Sequence, residues 1–217
     1  MPSPEWPGPD WSILIATIPS RVRTSFPDLL DVLREQIGER PIEICGLFDN
    51  KHRTVGAKRN ALLLLARGRF LSFIDDDDLP APDYVARIHA EILAHPDADV
   101  IVYDHLCSID GAEPYLCRYG VEYEYAHSAT LWTGKPAHTQ TWRAEIAQTF
   151  LFPEMNVGED VEWVMGVSKL VESQIRIPEA LYLYNCRNDR SETRGEGLVR
   201  DVPAAYRAWW AAARRGS

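Results

Sequence analysis

Four consecutive aspartates, Asp75, Asp76, Asp77 and Asp78, follow directly on the apolar run Phe70, Leu71, Ser72, Phe73, Ile74. Adjacent carboxylates repel one another, and a fold tolerates them only where something cationic compensates. A divalent ion is one such partner: carboxylate oxygens favour Mg²⁺ or Mn²⁺, ions that commonly bridge a protein to a diphosphate. The run begins at the C-terminal end of what reads as a buried parallel strand, the edge at which α/β sheets hold their ligands. The same carboxylates also suit a solvated acidic loop or a helix start ahead of Pro80-Ala81-Pro82. A second cluster, Gly56-Ala57-Lys58-Arg59-Asn60, opens a helical pattern, where free N–H groups and two cations favour an anionic ligand. Taken in isolation, helix solubility, with Asn60 as a satisfied interior amide, is the better reading of that cluster.

The elements that must position these residues alternate. Residues 11–18 are a β-rich run stopped by Pro19, and residues 26–37 carry Leu29, Leu30, Leu33 and Ile37 at helical spacing. Residues 42–48 form a second strand ending at Asp49-Asn50, residues 54–67 a second helix closed by Gly68, and residues 70–74 the strand that delivers the aspartates. Pro82 opens a third helix through Ala94, and residues 99–105 make a fourth strand. This alternation predicts an α/β domain, a mostly parallel central sheet with helices on both faces. Beyond it, residues 107–125 read as a hairpin or irregular segment, 137–150 and 157–171 as helices, and 174–184 as a strand.

Composition bounds the rest. With 217 residues, 46% hydrophobic and 25% charged, the chain is long enough for one substantial core. Residues 1–10, rich in proline, read as a flexible leader; residues 192–217 read as an Arg-rich tail with a helix near its end. No apolar run approaches the ~20 residues that span a bilayer. The net charge of −9 argues against indiscriminate polyanion binding while leaving room for a local basic groove. Four scattered cysteines without a C-x-x-C pair fit reduced thiols in a cytoplasm.

An ordered set of motifs emerges: Ala16-Thr17-Ile18-Pro19-Ser20-Arg21, then Phe48-Asp49, then Gly56-Ala57-Lys58-Arg59-Asn60, then the apolar strand into Asp75-Asp76-Asp77-Asp78, and finally Gly158-Glu159-Asp160-Val161-Glu162-Trp163. In that order and spacing the chain resembles the family 2 glycosyltransferases of the GT-A fold, over residues 11–191. The resemblance implies a nucleotide-sugar half at 11–106 and an acceptor half at 107–191.

The resemblance also implies roles. Asp49 would bind the nucleobase with the turn holding Thr17, Pro19 and Arg21, while Lys58 or Arg59 would face the diphosphate and Asn60 would belong to the same motif. Asp75 and Asp77 would be the Asp-x-Asp pair, because alternating strand-end residues point the same way and leave Asp76 pointing elsewhere. Asp77 would be the leading ligand of Mn²⁺ or Mg²⁺, with Asp75 nearer the ribose or holding the metal through an outer-sphere water, and Asp78 a possible second ligand. Asp160 would take the acceptor proton, with Glu159 as orienter or alternate base. On the acceptor side stand Trp142, Trp163 and His138.

One departure is plain: no histidine follows His138, so Arg187 or Asn188 occupies the region where many relatives carry a metal-binding histidine. The donor implied is a nucleoside diphosphate sugar, with uridine diphosphate as its nucleotide. The acceptor stays open between a saccharide or lipid-linked precursor and a hydroxymethylated pyrimidine in DNA. The Arg-rich tail keeps the latter in play. A nucleotide-sugar pyrophosphorylase or nucleotidyltransferase would share the fold class, although Ile18-Pro19-Ser20-Arg21 lacks its glycine-rich first loop; an inactive sugar-binding module is the other alternative.

Overall fold

The computed structural model describes residues 6–109, 112–128 and 130–186; Arg187 and the expected tail at 192–217 lie outside them. Its elements run β1 (Trp11–Thr17), α1 (Ser25–Ile37), β2 (Ile42–Phe48), α2 (Val55–Leu65), β3 (Phe70–Phe73), β4 (Leu79–Pro80), α3 (Tyr84–Ala94) and β5 (Val100–Ile109). The second half follows as β6 (Tyr115–Tyr119), β7 (Ala126–His127), β8 (Leu131–Gly134), β9 (Thr141–Arg143), α4 (Ala144–Ala147), α5 (Glu159–Val167) and β10 (Gln174–Cys186).

The strands form one sheet in the order β2-β1-β3-β9-β5-β6-β8-β7, with β10 along the other edge of β5 and β4 beside β10. β2, β1 and β3 are mutually parallel, as are β5 and β10, so their C-terminal ends share one edge. β9 runs antiparallel between β3 and β5. This corrects the helix expected at 137–150: Thr141, Trp142 and Arg143 complete the sheet, and only Ala144–Ala147 is helical.

Side chains alternate across the inner strands and fill a core on each face. Trp11, Ile13 and Ile15 of β1 point toward α1 and α3, joining Leu29, Leu33, Ile88 and Ile92. Leu14, with Leu71 and Phe73 of β3, points the other way against Leu62 of α2 and Trp163 of α5. Each such side chain removed from water contributes roughly 1.5–3 kcal/mol. Asp10, the last residue of the expected leader, pairs with Arg69 at 3.3 Å and His89 at 3.0 Å; residues 1–5 of that segment lie outside the described residues. Helix α2 stops at Leu65 with an extended Ala66, short of Gly68. Among the described residues no helix is long and apolar enough to cross a membrane.

Candidate active site

The aspartates lie just past β3 in a tight turn, with the Asp78 N–H donating to the Asp75 carbonyl at 3.1 Å. A turn breaks strand alternation, and the carboxylates fan out accordingly. Asp76 accepts from the Thr17 hydroxyl and the Arg21 guanidinium, both at 2.6 Å, and Arg21 also pairs with Asp77 at 2.6 Å. Asp78 accepts from the Tyr182 hydroxyl of β10 at 2.8 Å, while that hydroxyl takes the Asp75 N–H at 3.1 Å. Asp75 turns toward Arg59, 3.1 Å away. The expectation that Asp75 and Asp77 address one point while Asp76 looks elsewhere is therefore corrected: Asp76 and Asp77 share Arg21, and Asp75 has a different arginine.

Electrostatics follow from these pairings. Burial pushes the Asp77 carboxyl up to about 7, with Asp76 and Asp75 adding to Arg21's incomplete compensation. Burial also acts to raise Asp75, but Arg59 and His138 override it and hold this carboxyl well below the usual range. For Arg21, burial alone would lower the guanidinium, whereas Asp77 and Asp76 raise it and lock in the charge.

The start of α2 clasps the segment before α5. Thr54 caps the helix by accepting the Ala57 N–H at 3.2 Å. A methyl group at Gly56 would lie 1.9 Å from the Pro153 carbonyl oxygen, so only glycine permits this approach. Asn60 gives its amide N–H to the Phe152 carbonyl at 2.9 Å and takes the Phe152 N–H at 2.7 Å. Asn60 thus ties the start of α2 to the backbone at Phe152. Arg59 reaches across to Glu159 at 2.6 Å while holding Asp75. Gly158, at φ 82°, sits in the left-handed region and turns the chain into α5, whose first residues are Glu159 and Asp160.

His138, buried in the connection between β8 and β9, completes the arrangement. Its Nε2 stands 3.6 Å from Asp75 and its Nδ1 3.5 Å from Asp160, and neither nitrogen has a hydrogen-bond partner among the described residues. A cavity of about 400 Å³ opens here, lined by Arg59, Asp75, His138, Glu159 and Asp160. Glu159 is buried behind Arg59, and burial raises its carboxyl despite that arginine. The Asp160 side chain is 37% exposed, so an incoming group can reach it.

Residues 25–142 match Glycosyl transferase family 2. The chain belongs to that family. No curated protein matches it. Among solved structures it is similar to S. aureus TarS 1-349, with TM-score 0.57 and 16% identity over 81% of this chain and 60% of that one. The complex of TarS 1-349 with UDP-GlcNAc gives TM-score 0.55 and 15% identity over 81% and 58%. At such identities the likeness is one of fold, that of GT-A glycosyltransferases, and this family 2 chain spans about 60% of that TarS fragment.

In this family 2 chain the metal expected from the fold does not meet a ready-made set of ligands. Asp75, Asp77 and Asp78 turn to three different partners, and among the described residues no three His, Cys, Asp or Glu side chains converge on a common point. Thr17 and Arg21 stand together at the acidic turn, and Lys58 is buried in the first turn of α2. Pro19 is half-buried in the same β1 turn. Asp49 lies past the end of β2, where it accepts the Lys51 and Arg53 N–H groups at 3.1 and 2.9 Å. Trp142 and Trp163 are corrected: both are fully buried, packed on each other at 5.3 Å, and neither lines the cavity. Among the aromatic side chains that do line it, Tyr119 and Tyr125 come from the stretch at 107–125 read as a hairpin or irregular segment, and Trp132 from β8 beyond it. Their signal was the density of Tyr and Trp between residues 119 and 132.

Proposed function

We propose that the chain transfers a sugar from a nucleoside diphosphate sugar, with UDP-sugar as the leading donor, to an acceptor hydroxyl with inversion at the sugar carbon. The observation that carries the reading is that the partly exposed Asp160 carboxylate shares one cavity with Asp75, with His138 standing between them at 3.5 and 3.6 Å. The last two motifs in the family's order, the acidic turn and the Glu-Asp pair, thus face one space.

In this mechanism Asp160 takes the acceptor proton as the new bond forms, which requires a carboxylate within hydrogen-bond reach of the hydroxyl. Glu159 anchors the helix start through Arg59 and leaves the proton to Asp160. Thr17, Pro19 and Asp49, at the ends of two parallel strands, form the nucleoside side of the crevice. Arg21 and Arg59 offset the acidic turn, which would otherwise repel the departing diphosphate. Calorimetry of the full chain against uridine, guanosine, adenosine and cytidine diphosphates, with and without Mn²⁺, tests the reading; UDP binding is expected, and no nucleotide binding in either condition ends it.

A further inference from the structure

The cavity beside Asp160 continues onto an aromatic wall that the transfer chemistry leaves unassigned. Trp132 of β8 forms its centre, flanked by Tyr119 at 5.3 Å and Tyr125 at 5.6 Å, with the rings tilted by 54° and 59°. A side chain at Gly134 would meet the indole at 2.4 Å, so the sequence leaves space for the ring to lie there. Tyr125 is 46% exposed, and its phenol, raised by burial and then by the Asp160 and Glu124 carboxylates, faces the candidate base. The wall and the base therefore border one volume of about 400 Å³.

Charge narrows the occupant. The cavity holds two cations, Arg59 and Lys135, against the carboxylates of Asp75, Glu159 and Asp160. Both cations are already in ion pairs, Arg59 with Asp75 and Glu159, Lys135 with Glu124 at 2.9 Å. At the Asp160 end, where Lys135 is held by Glu124, a phosphate-bearing acceptor would meet more negative charge than positive. An uncharged polyhydroxylated ring fits both halves of the lining: its C–H face packs on aromatic rings while its hydroxyls donate to carboxylates and to a phenol oxygen. We propose that this wall is the acceptor subsite and that it takes an uncharged saccharide ring, seated on Trp132 and Tyr125 with one hydroxyl at Asp160. This deepens, and rests on, the glycosyltransferase reading above. A pyrimidine would also stack on the wall, but in DNA it arrives with the phosphates that the lining disfavours.

The test is ligand-observed NMR and calorimetry on the full chain, free and saturated with UDP. The probes are methyl glycosides of glucose, galactose, mannose and N-acetylglucosamine, and a short duplex containing hydroxymethylcytosine. At least one glycoside is expected to bind, and Tyr125→Ala and Trp132→Ala are each expected to weaken it by about tenfold or more with UDP affinity unchanged. Tyr125 is exposed enough that its truncation keeps the test valid if Trp132→Ala does not fold. The proposal is overturned if no glycoside binds, if Tyr125→Ala leaves glycoside affinity unchanged, or if the duplex binds in their place with a steep salt dependence. Failure of the donor reading looks different: UDP does not bind while the glycoside still does.

Discussion

Replacing Arg59 with methionine removes a guanidinium that pairs with both the acidic turn and the Glu-Asp helix. The guanidinium is buried, 2.6 Å from Glu159 and 3.1 Å from Asp75, and lies over the Phe73 and Phe152 rings at 5.8 and 5.6 Å. Breaking a buried ion pair by deleting one partner costs about 3–5 kcal/mol, because the remaining charge stays buried without compensation. Glu159, with a side chain 6% exposed, bears that cost in full, whereas Asp75, at 33%, is partly relieved by water. The sum therefore belongs at the lower end, about 3–4 kcal/mol, which for a chain of this size lowers Tm by about 6–16 °C. The penalty also has a pH signature. In the native protein the depressed Asp75 carboxyl stabilises above its unfolded pKa and loses that contribution as pH falls through its folded value. Without Arg59 that contribution is absent, so the gap between native and variant narrows as pH drops through about 4. Arg59→Lys should recover only part of the loss, since one ammonium cannot span two carboxylates as the guanidinium fork does. Urea denaturation at several pH values measures this; a variant within about 1 kcal/mol of the native protein at neutral pH refutes the bridging role.

Two further outcomes follow from the geometry. Gly56→Ala places a methyl 1.9 Å from the Pro153 carbonyl oxygen, so the clasp must open; we expect at least about 1–3 kcal/mol of destabilisation and reduced turnover, and a variant that melts and turns over normally would dissolve the clasp argument. Asp77, pushed up to about 7 by burial, has a folded pKa above its unfolded one, so its contribution is present at low pH and is lost as pH rises through about 7. Asp77→Asn should therefore gain stability relative to the native protein as pH rises from about 4 to about 7, and hold that gain above it, by chemical denaturation; a pH-independent difference contradicts the assignment.

How far the sequence led depended on whether its signals were local. β1, β2 and β3 were legible because their apolar runs are bounded by Pro, Asp and Gly, and the edge carrying Asp49 and Asp75 followed from their parallel order. The segment holding Trp142 was misread as helix because its strand character comes from pairing with β3 and β5, neighbours that local periodicity does not report. The aspartate run was legible as a special site, but its geometry was not: a turn rather than a strand end sends Asp75 and Asp77 to different arginines. Arg59 and Asn60 were found by motif order, while their partners Glu159 and Phe152 lie about a hundred residues away and depend on tertiary packing. The aromatic wall was the least legible part, since Tyr119 and Trp132 stand on short strands and Tyr125 in the connection between them, with little periodic pattern.

The central claim is that Asp160 performs the proton transfer in a site that binds the donor independently of it. Asp160→Asn keeps the side chain's shape, and no capping hydrogen bond at the start of α5 depends on the carboxylate. Donor Kd by calorimetry and UDP release in the presence of a bound saccharide should be measured on the native chain and on this variant. The account predicts an unchanged donor Kd and Tm with kcat lower by roughly 10²–10⁴; a variant that turns over at the native rate, with the donor bound as tightly as before, would contradict it.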